Sequence, residues 1–342
     1  MLFSYRARQR QKKLLHVLLY IILALIALAC YFLLWVQRFV LYTPEGVRLD
    51  FSLTDPTDAP LTPADPDREQ VNIEYITPET PEDTPDVPIQ EEERMAGFYI
   101  EAEALQQDDF TPVYEQLAAL PAGTPVMLDV RSPYGNYYYS SAYGNVSSSY
   151  NAEQMDALIE YLADGDFYLI ARFPALRNKG YATQNPLLGI QHVNNYVWAD
   201  SNGFYWIDPS KDSVLTHLIQ VIKELRGLGF DEVVLQDFSI PESPNISFKK
   251  DRQEVLNTAA QSLVTACAND GFTLSFVADS TALLLPEGRC RLYLMNVAAA
   301  DLEQLLSQLA ISHPATEVVI IADSYDTRYD ICSTLHPLSQ AH

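Results

Sequence analysis

The sequence is poor in cysteine, glycine and basic residues, and each shortage excludes a class of protein. Four cysteines among 342 residues, with no CxxC pair, exclude a disulfide-rich scaffold and a structural zinc site of the common spacing. Only 22 residues are Lys or Arg against 45 Asp or Glu, and a net charge of −23 argues against a nucleic-acid partner. The 13 glycines form no dinucleotide-binding or phosphate-binding loop, and the six histidines are scattered without metal-ligand spacing. We therefore expect no cofactor and no metal.

The charges that are present divide the chain into three parts. The balance is +6 over residues 1–49, −12 over 50–95 and −17 over 96–342. Residues 14–36 carry no charge, and 23 residues at about 1.5 Å each are enough to cross the ~30 Å hydrocarbon core of a bilayer. This run is too long for the apolar region of a cleaved signal peptide, so it predicts an uncleaved transmembrane signal anchor. Five bases precede the run and two follow it. We therefore expect a single-pass protein of the cell membrane, with the basic tail, 1–13, in the cytoplasm and the residues after the span outside.

The next stretch, residues 37–95, has the composition of a linker. Its part from 50 to 95 holds eight prolines and fourteen acidic residues. Such a segment buries too little apolar surface to offset the entropy of the chain, and its prolines and repelling charges keep it extended. We expect a disordered acidic linker that separates the membrane segment from the domain after it.

Residues 96–342 alternate short apolar runs, rich in β-branched residues, with helical patterns. The predicted strands are Phe98–Ala104, Val126–Arg131, Phe167–Phe173, Val233–Phe238, Thr273–Asp279, Leu292–Asn296 and Val318–Asp323, with Ile331–His336 as the late candidate for an eighth. The predicted helices lie near 111–120, 151–163, 211–228, 250–269 and 300–310. The third helix has Asp208 placed as its N-cap and Pro209 as its first residue. This alternation implies a parallel sheet, and the length favours an α/β fold, a TIM-like (β/α)7-8 barrel, over an open sheet.

In such a barrel the catalytic residues lie at the C-terminal ends of the strands. Acidic residues recur there, and carboxylates crowded into one cleft shift one another's pKa values, as acid–base cleavage of a glycosidic bond requires. The candidate catalytic residues are Asp237, Asp279 and Asp129. Arg172 is a candidate for orienting charge, and Glu101 and Asn296 are candidates for substrate binding. The alternative is that these strands end in polar residues simply because they end at water.

Three stretches rich in aromatic and amide side chains are candidates for sugar binding. A sugar stacks its C–H face on an aromatic ring, and its hydroxyls need hydrogen-bond donors and acceptors. The stretches are 134–143, 196–198 and 204–206, and the rings singled out are Tyr137, Tyr139, Trp198 and Trp206. For Trp206 a packing role is an equal alternative, because it lies directly before the predicted helix cap. The expected partner is therefore a polysaccharide or oligosaccharide.

Four stretches resemble, in order and spacing, the glycoside hydrolase barrel domain family of bacterial envelope and spore-related proteins. They are Val126–Arg131 followed by Gly135, Tyr168–Phe173, Trp206–Pro209, and Gly229–Leu235 through Pro241, and together they cover roughly residues 96–300. The resemblance implies a TIM-type barrel and a polysaccharide substrate. It also implies that the Asp of the family's fourth-strand motif, F-D-Y-x-R-F-P, is the catalytic carboxylate.

The fourth-strand motif of this chain departs from that pattern. Gln236 stands at the position of the Asp, Asp237 is shifted by one residue, and Ser239 replaces the Arg. Because neighbouring residues in a strand point to opposite faces, the shift turns the carboxylate out of the barrel mouth unless a bulge, or the related barrel pattern with a second Asp at this place, restores it.

These observations lead to three hypotheses of function. The first is a membrane-anchored, extracytoplasmic barrel that binds or hydrolyses a cell-envelope or exported polysaccharide, with Asp237 and a second carboxylate as the reacting groups. The second is a barrel that has lost catalysis and serves as a carbohydrate-binding or envelope scaffolding module. The third is a structural envelope protein without a sugar site. The three cysteines outside the membrane segment, Cys267, Cys290 and Cys332, are either buried free thiols or include one Cys290–Cys332 disulfide.

Overall fold

The computed structural model describes residues 40–43, 46–49, 94–269, 271–278 and 283–341. The chain divides into two units, Met1–Thr84 and Pro85–His342. The first unit contains an antiparallel hairpin of strands β1 (Val40–Thr43) and β2 (Gly46–Leu49), within the segment predicted to be a linker. The predicted membrane span and the rest of the linker up to residue 93 lie outside the described residues. No helix of the part that the structure describes is long and apolar enough to cross a bilayer.

Eight parallel strands of the second unit form a closed barrel. They are β3 (Ala96–Tyr99), β4 (Pro125–Asp129), β5 (Tyr168–Pro174), β6 (Glu232–Gln236), β7 (Thr273–Val277), β8 (Leu292–Met295), β9 (Val318–Ile321) and β10 (Ser333–Pro337). Each strand pairs with its neighbours along the chain, and β10 closes the barrel by pairing with β3, with Thr334 opposite Ala96. The predicted TIM-like barrel is thereby confirmed, and its eighth strand lies within two residues of the predicted candidate.

The strands form where they do because both of their faces are buried. Inside the barrel, Met127, Ile170 and Val234 belong to one apolar cluster. The residues next to these along each strand point outward. Of these neighbours, Leu128 and Leu235 belong to a second cluster between the barrel and its helices. Strands buried on both faces read as continuous apolar runs instead of alternating ones. This is why the sequence alone predicted seven of the eight strands and gave the eighth only as a candidate.

Helices cover the outside of the barrel. They are α1 (Ala102–Leu105), α2 (Thr111–Ala118), α3 (Ala152–Asp164), α4 (Lys179–Gln184), α5 (Asp212–Gly227), α6 (Arg252–Cys267), α7 (Leu302–Gln308) and α8 (Pro314–Glu317). Short 3-10 turns lie at Pro186–Leu188, Thr327–Ile331 and Leu338–Gln340. The five predicted helices are confirmed as α2, α3, α5, α6 and α7.

Two predicted boundaries are wrong. The first barrel strand was expected to run to Ala104 but ends at Tyr99, because helix α1 follows it almost at once. Asp208 is not the N-cap of α5, since that position belongs to Lys211. The Asp208 side chain instead accepts a hydrogen bond from the backbone N–H of Ser210 at 2.9 Å, which closes a turn before the helix begins.

The three cysteines of the barrel unit are buried thiols that form no disulfide with one another, which decides between the two alternatives for them. Burial raises the pKa of the Cys267 and Cys332 thiols to about 11. Both thiols therefore stay protonated near neutral pH, and they pack as small apolar groups.

Candidate active site at the barrel mouth

The ends of β4 and β5 carry an ion pair at the mouth of the barrel. Asp129 lies opposite Arg172 in the strand register. Arg172 Nε donates to Asp129 Oδ1 at 2.6 Å, and Nη2 donates to Oδ2 at 3.0 Å. Burial alone would lower the pKa of Arg172, but the Asp129 carboxylate raises it and the net shift is upward. The structure thus brings two predicted site residues together, and the guanidinium fixes the carboxylate through two hydrogen bonds.

The altered motif lies at the end of the fourth barrel strand, β6, and the strand sets the directions of its side chains. Val234 points into the barrel, and alternation carries Gln236, the last residue of the strand, to the same inward face. Asp237 follows in a left-handed backbone conformation, with φ of +52°, and is 7% exposed. This conformation takes Asp237 out of the alternation of the strand, and its Oδ2 lies 3.5 Å from Arg177 Nη1. The amide therefore holds the inward position, and the carboxylate follows it and lies against an arginine.

Arg177 links Asp237 to the long connection between β5 and α5. Its Nε lies 3.7 Å from Asp200 Oδ2, and its Cζ lies 4.9 Å from the centre of the Trp206 ring. Asp200 also accepts a hydrogen bond from Trp206 Nε1 at 3.0 Å. Sequence reasoning missed Arg177 and Asp200. The available signals were a base three residues after a strand and an acid between two aromatic stretches, and both are too common to single out a residue.

The aromatic rings singled out from the sequence are mostly buried. Tyr137 and Tyr139 are each 1% exposed and Trp206 is 5% exposed, so these rings pack inside the protein and offer no face to a sugar. The Tyr139 hydroxyl donates to Glu224 Oε2 at 2.7 Å, and burial raises the pKa of this tyrosine. The expectation that Tyr137 and Tyr139 bind substrate is therefore corrected, and of the two alternatives for Trp206 the structure shows packing.

Other aromatic rings are exposed on the loops that follow β4 and β5. Tyr134, Tyr143 and Tyr196 are 52%, 40% and 55% exposed. Tyr196 stacks on His192 with the ring centres 4.3 Å apart, whereas the predicted Trp198 is half-buried against the core. Loops after the strands of a barrel surround its C-terminal end. These exposed rings are therefore placed on the part of the molecule where a sugar chain would approach the mouth.

Two further predicted site residues, Glu101 and Asn296, follow barrel strands at different points around the mouth. Glu101 Oε1 accepts hydrogen bonds from the hydroxyl and the backbone N–H of Ser339. Asn296 follows β8, is exposed and has a positive φ of +55°. Asp279 lies outside the described residues. In the described part of the chain, no group of three or more His, Cys, Asp or Glu side chains is placed to hold a metal ion.

A tyrosine–carboxylate pair, also outside the predicted set, adds to the polar lining. The Tyr99 hydroxyl, at the end of β3, donates to Asp323 Oδ1 at 2.8 Å. Burial and then the hydrogen bond to Asp323 raise the pKa of Tyr99, while the charge of Arg172 acts in the opposite direction. The mouth therefore carries carboxylates and their donors at the ends of several strands.

Comparison with known sequences gives one family. A family model described as "Putative glycosyl hydrolase domain" matches residues 97–270, which is just over half of the chain. No curated protein matches the sequence.

Comparison with solved structures finds many similar chains, and three of them are described here. A hypothetical protein from Ruminiclostridium thermocellum ATCC 27405 has 23% identity and a TM-score of 0.47, with 55% of this chain and 100% of that chain covered. The glycoside hydrolase domain of PelA from Pseudomonas aeruginosa has 16% identity and a TM-score of 0.43, with coverage of 71% and 94%. A beta-N-acetylhexosaminidase from Bacteroides fragilis NCTC 9343 has 11% identity and a TM-score of 0.43, with coverage of 68% and 50%.

Proposed function

Because the chain belongs to this glycosyl hydrolase domain family, we propose that it hydrolyses a cell-envelope or exported polysaccharide at the barrel mouth. The observation that carries the proposal is the placement of Asp237. It follows the fourth barrel strand, at the end of the barrel where enzymes of this fold hold their catalytic residues. It is buried, lies 3.5 Å from Arg177 and has a left-handed backbone. Non-glycine residues with positive φ are uncommon and cluster at functional sites, and Asn296 after β8 is a second example.

Cleavage of a glycosidic bond requires two carboxylates with separate roles. In this proposal Asp237 acts as nucleophile or as general acid–base, and Asp129 or Asp279 is its partner. Arg172 holds the Asp129 carboxylate in a fixed orientation through its two hydrogen bonds. Arg177 does the same for Asp237 through the ion pair, so that the reacting groups are positioned before the substrate arrives.

The second candidate is a barrel that binds carbohydrate without cleaving it, as a binding or envelope scaffolding module. The observation that favours it is Gln236, whose amide occupies the inward-facing position where the resembled pattern has Asp. An amide cannot ionise, so it can neither attack the sugar nor carry a proton. In this case the exposed rings of Tyr134 and Tyr196 supply the binding surface.

The substitution Asp237→Asn separates the two candidates. It keeps the shape of the side chain and tolerates the left-handed backbone, but it removes the charge. If Asp237 is catalytic, release of reducing ends from the polysaccharide that wild type cleaves falls to background, while sugar binding and the unfolding midpoint stay close to wild type. Asp326→Asn is the matched control, because it also removes a carboxylate from an arginine pair but lies on an exposed loop.

Three results would count against hydrolysis at Asp237. Turnover that survives Asp237→Asn excludes this residue from catalysis. A wild type that binds glycans from a broad panel but releases no reducing ends supports the binding module instead. A wild type with neither turnover nor binding rejects both candidates.

The proposal extends to the cellular setting of the barrel. Residues 14–36 anchor the chain in the bilayer as a single span, residues 1–13 lie in the cytoplasm, and 37–95 separate the membrane from an extracytoplasmic barrel. The support for this arrangement is the uncharged run of 23 residues and the excess of bases before it.

A further inference from the structure

An aromatic platform that includes a lysine lies on the loops that follow β4 and β5. The Tyr134 platform, as we call it, consists of Tyr134, Lys179, Phe204 and Tyr205. The Tyr134 ring is 52% exposed and meets the Phe204 ring edge-on, with the ring centres 4.8 Å apart. The Lys179 ammonium lies 5.8 Å from the centre of the Tyr134 ring and 5.9 Å from that of the Tyr205 ring. Two rings therefore flank one cation at the end of the barrel where the mouth opens.

Backbone hydrogen bonds hold the loops of the platform together. The N–H of Lys179 donates to the Pro133 carbonyl at 3.2 Å, and the N–H of Asn178 donates to the Tyr205 carbonyl at 3.0 Å. These bonds use only main-chain atoms. The rings and the ammonium of the platform are therefore presented on a backbone that is fixed before a ligand arrives.

Lys179 differs from the two arginines of the mouth in its partners. Arg172 pairs with Asp129, and Arg177 pairs with Asp237. Within the residues that the structure describes, the Lys179 ammonium pairs with no carboxylate, and its contacts are the two rings. An ammonium has three N–H donors, and its contact with ring faces leaves it able to donate to an anion.

The platform is connected to Asp237 through side chains in contact. Phe204, which meets the Tyr134 ring, lies with its centre 5.7 Å from Arg177 Cζ. Arg177 Nη1 in turn lies 3.5 Å from Asp237 Oδ2. The platform and the carboxylate after β6 therefore belong to one connected set of side chains, along which one sugar chain can lie.

Resting on the sugar substrate of the proposed function, we propose that the Tyr134 platform binds a sugar unit that carries an anionic group, either a carboxylate or a phosphate. The sugar stacks its C–H face on the exposed Tyr134 ring, and Lys179 donates hydrogen bonds to the anionic group. A lysine is a compact point charge, so it suits both groups, whereas a neutral sugar offers the ammonium no charged partner. The substrate class of the mouth is then an acidic polysaccharide.

The test is glycan binding by the full chain. A panel of acidic and neutral oligosaccharides identifies the glycans that bind, and titration calorimetry then measures the affinity of each. We expect the bound glycans to be acidic. The same glycan with its carboxylates reduced to alcohols, or with its phosphates removed, should bind at least about tenfold more weakly. Tighter binding of carboxylate-bearing or of phosphate-bearing members identifies the anionic group.

Lys179→Gln should weaken binding of the acidic glycan by about tenfold and leave binding of its neutral counterpart unchanged. The reason is that the substitution removes one charge-assisted hydrogen bond and no ring. Lys179→Arg keeps the positive charge and should retain most of the affinity. Lys223→Gln is the matched control, because it removes the same charge from an exposed position on α5, and it should bind as wild type does.

Three results would overturn the anionic site and leave carbohydrate binding at the mouth intact. They are equal affinity for the acidic glycan and its neutral counterpart, binding of neutral glycans alone, and an equal loss of affinity in Lys179→Gln and Lys223→Gln. Binding of no glycan at all would reject the platform together with the sugar substrate of the proposed function.

Discussion

His217, on α5, is a buried histidine whose protonation should affect the stability of the barrel. Its ring stacks on Tyr181 with the ring centres 4.0 Å apart, and the residue is 7% exposed. Burial, together with the charge of Arg131, lowers the pKa of His217 from 6.5 to about 4. The folded state therefore holds the neutral imidazole at pH values where the unfolded chain has already bound a proton.

The stability of the barrel should therefore fall in weak acid. Because the folded pKa lies below the unfolded value, the contribution of His217 is fully present above pH 6.5 and is lost as the pH falls toward 4. Between pH 7 and pH 5 the difference in its protonation corresponds to about 2 kcal/mol of unfolding free energy. Urea unfolding at the two pH values measures it.

His217→Phe keeps a ring against Tyr181 and does not titrate, so it should remove most of this pH dependence. His313→Gln is the matched control, because the His313 side chain is 78% exposed, and it should retain the dependence of wild type. An unchanged pH dependence in His217→Phe would show that carboxylates, and not this histidine, control stability in weak acid.

At the same scale, the sequence predicted the types of residue at the mouth but not their partners. Asp129 and Arg172 were found because both lie at predicted strand ends, and the register of β4 and β5 then places them opposite each other. The pairing of Arg177 with Asp200 and Asp237 depends on how a long loop folds over the barrel. No local pattern encodes that contact, and the positive φ of Asp237 is likewise set by the structure around it.

At the scale of elements, Glu224 connects α5 to the loop that follows β4. Its Oε2 accepts hydrogen bonds from the hydroxyls of Tyr139 and Ser141, and its Oε1 accepts the backbone N–H of Ala142 at 2.7 Å. One carboxylate thus satisfies three donors of a loop that also carries exposed tyrosines. The loop is positioned by a helix on the outside of the barrel and not by its own turns alone.

Glu224→Ala should release this loop. It leaves the buried Tyr139 hydroxyl without its acceptor, at a cost of about 2 kcal/mol in unfolding free energy. The amide of Ala142 should exchange its hydrogen faster, while amides of the barrel strands exchange at the wild-type rate. Glu115→Ala, on the exposed face of α2, is the control and should change neither. Wild-type exchange at Ala142 in Glu224→Ala would mean that the loop is held by other contacts.

Helices and strands were predicted well in their positions and less well at their ends. The apolar face of α5 identified the helix, but its start depends on whether Asp208 caps the helix or closes a turn, and both use the same local chemistry. Similarly, the alternating residues after Tyr99 suit either a longer strand or the short helix α1. The choice is made by packing on the rest of the barrel, which the local pattern does not contain.

At the scale of the whole molecule, seven strands of the barrel followed from their apolar runs, whereas the closing strand was predicted only as a late candidate. The closing strand, β10, contains Ser333 and Thr334, so it lacks the apolar run that revealed the others. These polar residues are buried and hydrogen-bonded. The Ser333 hydroxyl accepts a hydrogen bond from the Met95 N–H at 2.8 Å, and the Thr334 N–H donates one to the Met95 carbonyl. A strand stabilised by such specific hydrogen bonds has a weak signature in sequence.

The last prediction concerns how the chain is placed relative to the membrane. In intact protoplasts, protease added from outside should degrade the barrel, residues 96–342, and leave a short membrane-embedded fragment, because we propose that the bases before residues 14–36 keep the N-terminus in the cytoplasm. Immunoblots with antibodies against the barrel and against the N-terminus measure how much of each part remains after digestion. Replacing Arg6, Arg8, Arg10, Lys12 and Lys13 by Gln removes the bias, so a fraction of the barrel should become protected. Full protection of the wild-type barrel would contradict the proposed topology, and with it the assignment of the substrate to the outside of the cell.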